Sequence, residues 1–326
     1  MKRVALACVA ASLIAGGGRM IGQERGNPFV DHSDTGETVH VLPAPASIHS
    51  PRDTQPTDAV IGNRIGVYSQ SYGSGSLIDH GGPQISLAGF YAIYYNATVA
   101  NSAGSQGQAT LQAEVQAFLA GFAPPSNGYS QSDQDANYSI VTQYDSTISP
   151  TIFLAGQYVD SKGSGGTLSD NSVQKYLANL FSAGKIGAPS SHNVYGIYFP
   201  SGMRITLQGG ASCSSFCGYH GHFNYNGTDV KYAVFPYTDC RACSLPGKAV
   251  ADILTIVTSH EIREAVTDPD LDAWFDSSGY EADDKCAWHH LYQTNTGGYW
   301  VQPEWSNGGN GFPGPGCVVP LTNGAP

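Results

Sequence analysis

Charge is the first thing this chain lacks. Asp, Glu, Lys and Arg make up 13 % of its 326 residues, against about 25 % in an ordinary soluble protein. Basic residues are the scarcer kind, 15 against 26 acidic ones, which leaves a net charge of −11. A surface that tracks phosphates needs the opposite sign, so nucleic acid is excluded as a partner. No apolar run approaches the roughly 20 residues that span a bilayer. There is no Gly-x-Ser-x-Gly elbow, and the Gly-Ser-Gly stretches at 73–76 and 163–166 lack the lysine and helix of a phosphate loop. Cys240-Arg-Ala-Cys243 is the only Cys-x-x-Cys, so a four-cysteine zinc site is excluded as well.

What stands in place of charge is Ser, Thr, Asn, Gln and Tyr with 40 glycines, a composition suited to an exported protein. Met1-Lys2-Arg3, the apolar run Val4 to Ala15 and the exit Gly16-Gly17-Gly18 have the three parts of a secretory signal peptide, expected at 1–18. Its removal takes Cys8 away and leaves six of the seven cysteines, an even number that in an oxidising compartment reads as disulfides. Six cysteines permit 15 connectivities; the local pairing Cys213–Cys217, Cys240–Cys243 and Cys286–Cys317 is the expectation. Residues 19–57 carry Gly, Pro, Asp and His without apolar periodicity and read as a flexible arm or propeptide. Residues 58–326 read as a single α+β domain with a mixed sheet and a loop-rich, disulfide-linked C-terminal part.

Within that domain, 84–98, 152–159, 193–207, 219–225 and 230–237 read as strands. Residues 109–122 and 169–183 read as amphipathic helices, and a longer helix is expected over 248–266. The long helix carries the chemistry. By 3–4 spacing Val250, Ile253, Val257, His260, Glu261 and Glu264 fall together, and His260 and Glu264, one turn apart, can reach one metal ion. Carboxylates follow at Glu281, Asp283 and Asp284, 17 to 20 residues beyond Glu264, and Asp270 lies closer in sequence. His220 and His222 alternate onto one face of their strand, so His220 can stand beside the site as proton donor or oxyanion stabiliser.

Ser259-His-Glu-Ile-Arg-Glu264 resembles the zincin helix His-Glu-x-x-His with its second histidine replaced by glutamate. The resemblance implies His260 and Glu264 as metal ligands and Glu261 as general base for an attacking water. By the same analogy Glu281 is the third ligand ahead of Asp284 and Asp270, and Asp284 orients the ring of His260. Zinc is the implied cofactor; an oxygen donor at Glu264 also admits calcium or manganese.

Over a longer stretch, 194–317 resembles the EXORDIUM or phosphate-induced protein family of secreted proteins. The resemblance runs through Val194-Tyr-Gly-Ile-Tyr-Phe199, Phe216-Cys-Gly-Tyr-His-Gly221, Tyr232-Ala-Val234, Cys240-Arg-Ala-Cys243 and Ser259 to Glu264. It continues through Asp268-Pro269, Ala273-Trp-Phe275, Glu281, Asp284, Cys286 and Cys317. It implies an extracellular, disulfide-bonded protein and brings no settled activity. Two functions follow as expectations. One is a secreted, zinc-dependent hydrolase of the metallopeptidase kind, with His260, Glu264, Glu281 and Asp284 at the metal and Glu261 and His220 catalytic, acting on an extracellular polypeptide. The other is a non-catalytic protein that binds cell-wall polymer through Tyr299, Trp300, Trp305 and Phe312. A metal held as a structural clip is the third, and no membrane contact is expected after signal cleavage.

Overall fold

The computed structural model describes residues 27–45, 48, 59–61, 65–122, 136–294, 296–309 and 311–320. The expected signal peptide and the rest of 19–57 lie outside them. The described residues form an α+β fold around a seven-stranded mixed sheet. Its strands are β1 (Val30–His32), β2 (Thr38–Pro43), β3 (Gly89–Tyr94), β4 (Phe153–Val159), β5 (Asn193–Tyr198), β6 (Phe216–Tyr225) and β7 (Thr228–Phe235), in the spatial order β1-β2-β6-β7-β5-β3-β4. The strands β7, β5, β3 and β4 run parallel, while β1, β2, β6 and β7 pair antiparallel.

The parallel half reads as continuous apolar sequence because both its faces are covered. Phe90, Ala92, Tyr94, Val194, Tyr198, Ala233 and Phe235 face one core, with α1 (Leu111–Phe122) and α3 (Val250–Thr267). Ile93, Tyr195, Ile197, Tyr232 and Val234 face the other, with α2 (Asp170–Ser182). The spacing of apolar residues thus places the sheet between two helical layers. Each expected strand and helix has a counterpart; the stretch expected as one strand over 193–207 breaks into β5 and a short strand Met203–Arg-Ile-Thr206 at a turn.

A second, four-stranded antiparallel sheet joins Glu304–Ser306, Gly316–Pro320, Ile65–Tyr68 and Ala59–Ile61. Two differences from the sequence reading matter for the site. Residues 27–45, expected as part of a flexible arm, include β1 and β2, and β2 hydrogen-bonds along β6. The physical reason is that Val39 and Val41 enter one core and Leu42 the other, a period-2 burial too short to stand out among the surrounding Gly, Pro and Asp.

The disulfides also differ: Cys213 pairs with Cys240 and Cys217 with Cys243, with Cα–Cα separations of 5.6 and 5.7 Å. Cys286–Cys317 forms as expected. The loop after β7 lies across the segment leading into β6, so the close approaches are between segments and the local pairings lose to them. With these sulfurs in disulfides, no thiolate is left among them for a metal. No helix among the described residues is long and apolar enough to cross a membrane.

Candidate metal centre

Helix α3 starts where the Asp252 carboxylate accepts the Ala249 N–H at 2.9 Å, an acid at a helix N-terminus. It ends at Asp268, whose carboxylate accepts the N–H groups of Asp272 and Ala273 and turns the chain before Pro269 can extend the helix. Between these ends Ala251 to Thr267 are all buried. Such a helix ought to be apolar all round, yet this one brings His260, Glu261, Arg263 and Glu264 inside, each wholly buried. Buried charges need partners, and the partners divide them into two sets.

Arg263 is the centre of the first set. Its Nε donates to Asp283 Oδ2 at 3.0 Å and its Nη2 to Asp283 Oδ1; Nη1 donates to the Asn137 carbonyl at 2.7 Å and Nη2 to the Gln302 carbonyl at 2.9 Å. Glu304 lies 3.2 Å from Nε. Burial pushes the Asp283 carboxyl up to about 6 against the pull of this guanidinium.

The second set gathers beside the first, with Gln302 between them. His260 Nε2 lies 2.9 Å from Glu264 Oε2 and 3.7 Å from Asp284 Oδ1. The ligand-capable atoms of His260, Glu264 and Asp284 all fall within 4.8 Å of one another, and so do those of His220, Glu261 and Glu264. His220 Nδ1 is 3.1 Å from Glu261 Oε2, and His220 Nε2 is 3.6 Å from Glu281 Oε2. The same Glu281 oxygen is 3.3 Å from Nδ1 of His40, and Asp284 Oδ2 is 3.8 Å from that nitrogen. Three imidazoles and four carboxylates therefore share one buried volume.

The strands explain how the histidines arrive. His40 on β2 and His220 on β6 are direct register partners, and opposite residues of an antiparallel pair point to one face. That face is the one α3 packs on, through Gly218 and Val257. A Cβ at Gly218 would collide with Val257 Cγ1 and come within 2.9 Å of Glu261 Oε1. Gly218→Ala is therefore expected to displace the Glu261 carboxylate and to cost about 1–3 kcal/mol through overpacking, read as a fall in the urea midpoint. A variant as stable as the parent would show that α3 has room to retreat.

The acidic side of the centre is built by one tight loop. Asp276 accepts the N–H groups of Ser278 and Tyr280 and pairs with Lys285 Nζ at 2.8 Å. Asp284 Oδ2 accepts the Glu281 N–H at 3.0 Å, and Glu264 Oε1 accepts the Asp284 N–H at 2.9 Å. Cys286–Cys317 ties the loop to the second sheet.

Electrostatics follow from burial. It drives the His40 imidazole down to about 4 and that of His220 to about 3, so both are neutral. It raises Glu261, Glu281 and Asp284 well above the carboxylate range, with the charge of Glu264 adding to each. Burial works against ionisation of Glu264 as well, but His260, with its Nε2 2.9 Å away, holds it down at about 2.

No family model, curated protein or solved structure matches this chain.

Of the residues singled out by sequence, His220, His260, Glu261, Glu264, Glu281 and Asp284 all meet here. Asp270 does not: it pairs with Lys231 and lies 4.0 Å from His222 at the rim. The role expected for Asp284 also changes. It faces His260 Nε2, the nitrogen that Glu264 faces, whereas Nδ1 on the far side of the ring is met by Gln302 Nε2 at 2.9 Å. Gln302 orients the ring, and Asp284 stands with the ligand-capable atoms. Glu281, expected beside His260, lies instead between His40 and His220. His40 and Gln302 escaped the sequence reading altogether. The alternation of Thr38-Val-His-Val-Leu42 was a signal for the first; a neutral glutamine in a loop offers none.

The residues fit a cation. His40 Nδ1, His220 Nε2, His260 Nε2, Glu264 Oε2, Asp284 Oδ1 and both oxygens of Glu281 are buried without a hydrogen-bond partner. Among the described residues no lysine or arginine forms an ion pair with Glu261, Glu264, Glu281 or Asp284. Unpaired buried carboxylates facing bare imidazole nitrogens are the donor set of a divalent metal.

Proposed function

We propose that this chain is a secreted, metal-dependent hydrolase, with α3 as a zincin-like active helix that acts on peptide bonds in extracellular polypeptide. The observation that carries the reading is the convergence of buried, partnerless imidazole nitrogens and carboxylate oxygens on one point beside α3. His260, Glu264 and Asp284 would hold the ion, zinc first among divalent cations. A cation there supplies Lewis acidity toward a carbonyl. A metal at Nε2 requires the ring proton on Nδ1, so Gln302, whose amide nitrogen meets Nδ1 at 2.9 Å, must turn its Oε1 to that nitrogen when the ion binds. Glu261 takes the proton of the attacking water. His220, 3.1 Å from Glu261, holds that carboxylate in place and can share its proton. The way in runs past β2, because His40 alone in the cluster keeps solvent exposure, 6 %. The three disulfides suit the extracellular setting that the signal-like N-terminus and the EXORDIUM resemblance imply.

Glu261→Gln in zinc-loaded mature protein is the test. It is expected to keep its metal and its thermal midpoint while peptide hydrolysis falls at least about a hundredfold. Equal activity in parent and variant would overturn the assignment.

The burial of every ligand group favours one other reading, a cation that clips the loop at 281–286 to α3 without chemistry. That reading expects metal-dependent stability and no hydrolysis in either protein. The polymer-binding alternative is weaker, since Tyr299, Trp305 and Phe312 are buried and Trp300 is half-buried under Lys248 Nζ, 3.4 Å from its ring centre.

A further inference from the structure

One ion at His260, Glu264 and Asp284 leaves a second group of partnerless atoms unexplained. His40 Nδ1, His220 Nε2 and both oxygens of Glu281 are buried without hydrogen bonds on the other side of Asp284. Glu281 Oε2 stands 3.3 Å from His40 Nδ1 and 3.6 Å from His220 Nε2. Each of these two pairs stands at the separation of two donors on one metal at about 2.0–2.2 Å. The two imidazole nitrogens, which fall outside the 4.8 Å within which the ligand atoms of His260, Glu264 and Asp284 gather, draw together on the ion. With Glu261 ionised, its carboxylate can only accept, so His220 Nδ1, 3.1 Å away, carries the ring proton and Nε2 presents a bare lone pair to Glu281. A lone pair and a carboxylate buried face to face need a cation between them.

Asp284 is placed to serve both sides. Its Oδ1 is 3.7 Å from His260 Nε2, and its Oδ2 is 3.8 Å from His40 Nδ1. The two ends of one carboxylate thus reach toward two different imidazoles, as a bridging ligand does. Charge leads to the same count. Glu261, Glu264, Glu281 and Asp284, with Asp268 beside Glu281, are buried carboxylates without a basic partner, and when ionised they carry more negative charge than one divalent cation balances.

We infer that the cluster is a two-cation centre, the second ion held by His40 Nδ1, His220 Nε2 and Glu281, with Asp284 bridging it to the first. This deepens the reading of a metal site at α3 and rests on it. Mixed imidazole and carboxylate donors select transition-metal divalent ions such as Mn2+, Co2+ or Zn2+ over Ca2+ or Mg2+. Because His40 belongs to β2, the second ion also fastens the N-terminal strand to the centre.

Manganese is the probe. Mature protein carrying its complete chain, stripped and reloaded with Mn2+, is expected to retain about two equivalents after gel filtration. Its electron paramagnetic resonance spectrum is expected to show an exchange-coupled pair, as two ions about 3.5–4 Å apart give. His40→Gln and His220→Gln are expected to retain about one equivalent, with the six-line signal of an isolated ion. One equivalent and an uncoupled signal in the parent would overturn the second site and leave the single-metal reading standing; no retained metal in folded protein would overturn both. Two coupled ions in both variants would overturn the assignment of His40 and His220. Should the variants fail to fold, the parent's stoichiometry and coupling decide the matter.

Discussion

Arg263→Met is expected to cost about 3–5 kcal/mol of stability, because it removes the only cation from a buried set of two carboxylates. Asp283 receives a forked pair of hydrogen bonds from the guanidinium, and Glu304 lies against its Nε. Methionine fills similar volume without overpacking α3, so the loss isolates charge from packing. Arg263→Lys is expected to recover only part, since an ammonium cannot donate at once to Asp283, the Asn137 carbonyl and the Gln302 carbonyl. Adding Asp283→Asn to Arg263→Met removes one of the orphaned charges and is expected to restore about 1 kcal/mol or more. Chemical denaturation of the parent, Arg263→Met, Asp283→Asn and the double variant gives the coupling directly. A single-variant loss below about 1 kcal/mol would mean that water reaches Asp283 when the arginine is gone. The consequence for the site is specific: Gln302 is held by Arg263 through its carbonyl and by Asp283 through its amide, and Gln302 in turn meets His260 Nδ1. Metal affinity is expected to fall along with stability.

How much of this was legible beforehand depends on the range of the interactions. The 3–4 spacing of Val257, His260, Glu261 and Glu264 is local, and α3 places these residues as that spacing requires. The carboxylates at 281–284 were legible as a cluster following the helix, because a loop cysteine and the helix end limit where they can go. Their division was not: which of Glu281 and Asp284 faces His260 is decided by the Asp284 N–H bonding to Glu264 and the Asp284 side chain capping Glu281. His40 depends on strand pairing across 180 residues of sequence, β2 to β6, and nothing local marks that register. The burial of Arg263 is not marked locally either, because helix charges usually face solvent; only the fold shows that α3 is covered on all sides. The cysteine pairing is likewise a property of which segments cross, and spacing alone carried the wrong pairs for four of the six.

Removing the metal is expected to destabilise the protein by about 4 kcal/mol when the cation had been at about a thousand times its dissociation constant, and to give it a pH dependence the loaded protein lacks. The sign follows from the raised carboxyls. Without a cation, burial holds Glu261, Glu281 and Asp284 protonated well above the range in which the unfolded chain has released those protons. The folded state then binds more protons than the unfolded one, so stability is greatest at acid pH on this account and is lost as pH rises. His40 and His220 oppose this trend: their folded values of about 4 and about 3 lie below the unfolded 6.5, so they lose stability as pH falls through 6.5. Above about pH 7.5 the histidines are almost wholly neutral in both states and drop out, leaving the carboxyls alone. Between about pH 7.5 and 9 the stripped protein is therefore expected to lose up to about 1.4 kcal/mol per pH unit for each carboxyl still protonated, while zinc-loaded protein stays flat. Thermal midpoints of chelator-treated and reloaded protein across that window measure both slopes. Parallel flat curves would mean that the cluster is solvated when empty, and would remove the electrostatic need for a cation on which the whole reading of the site depends.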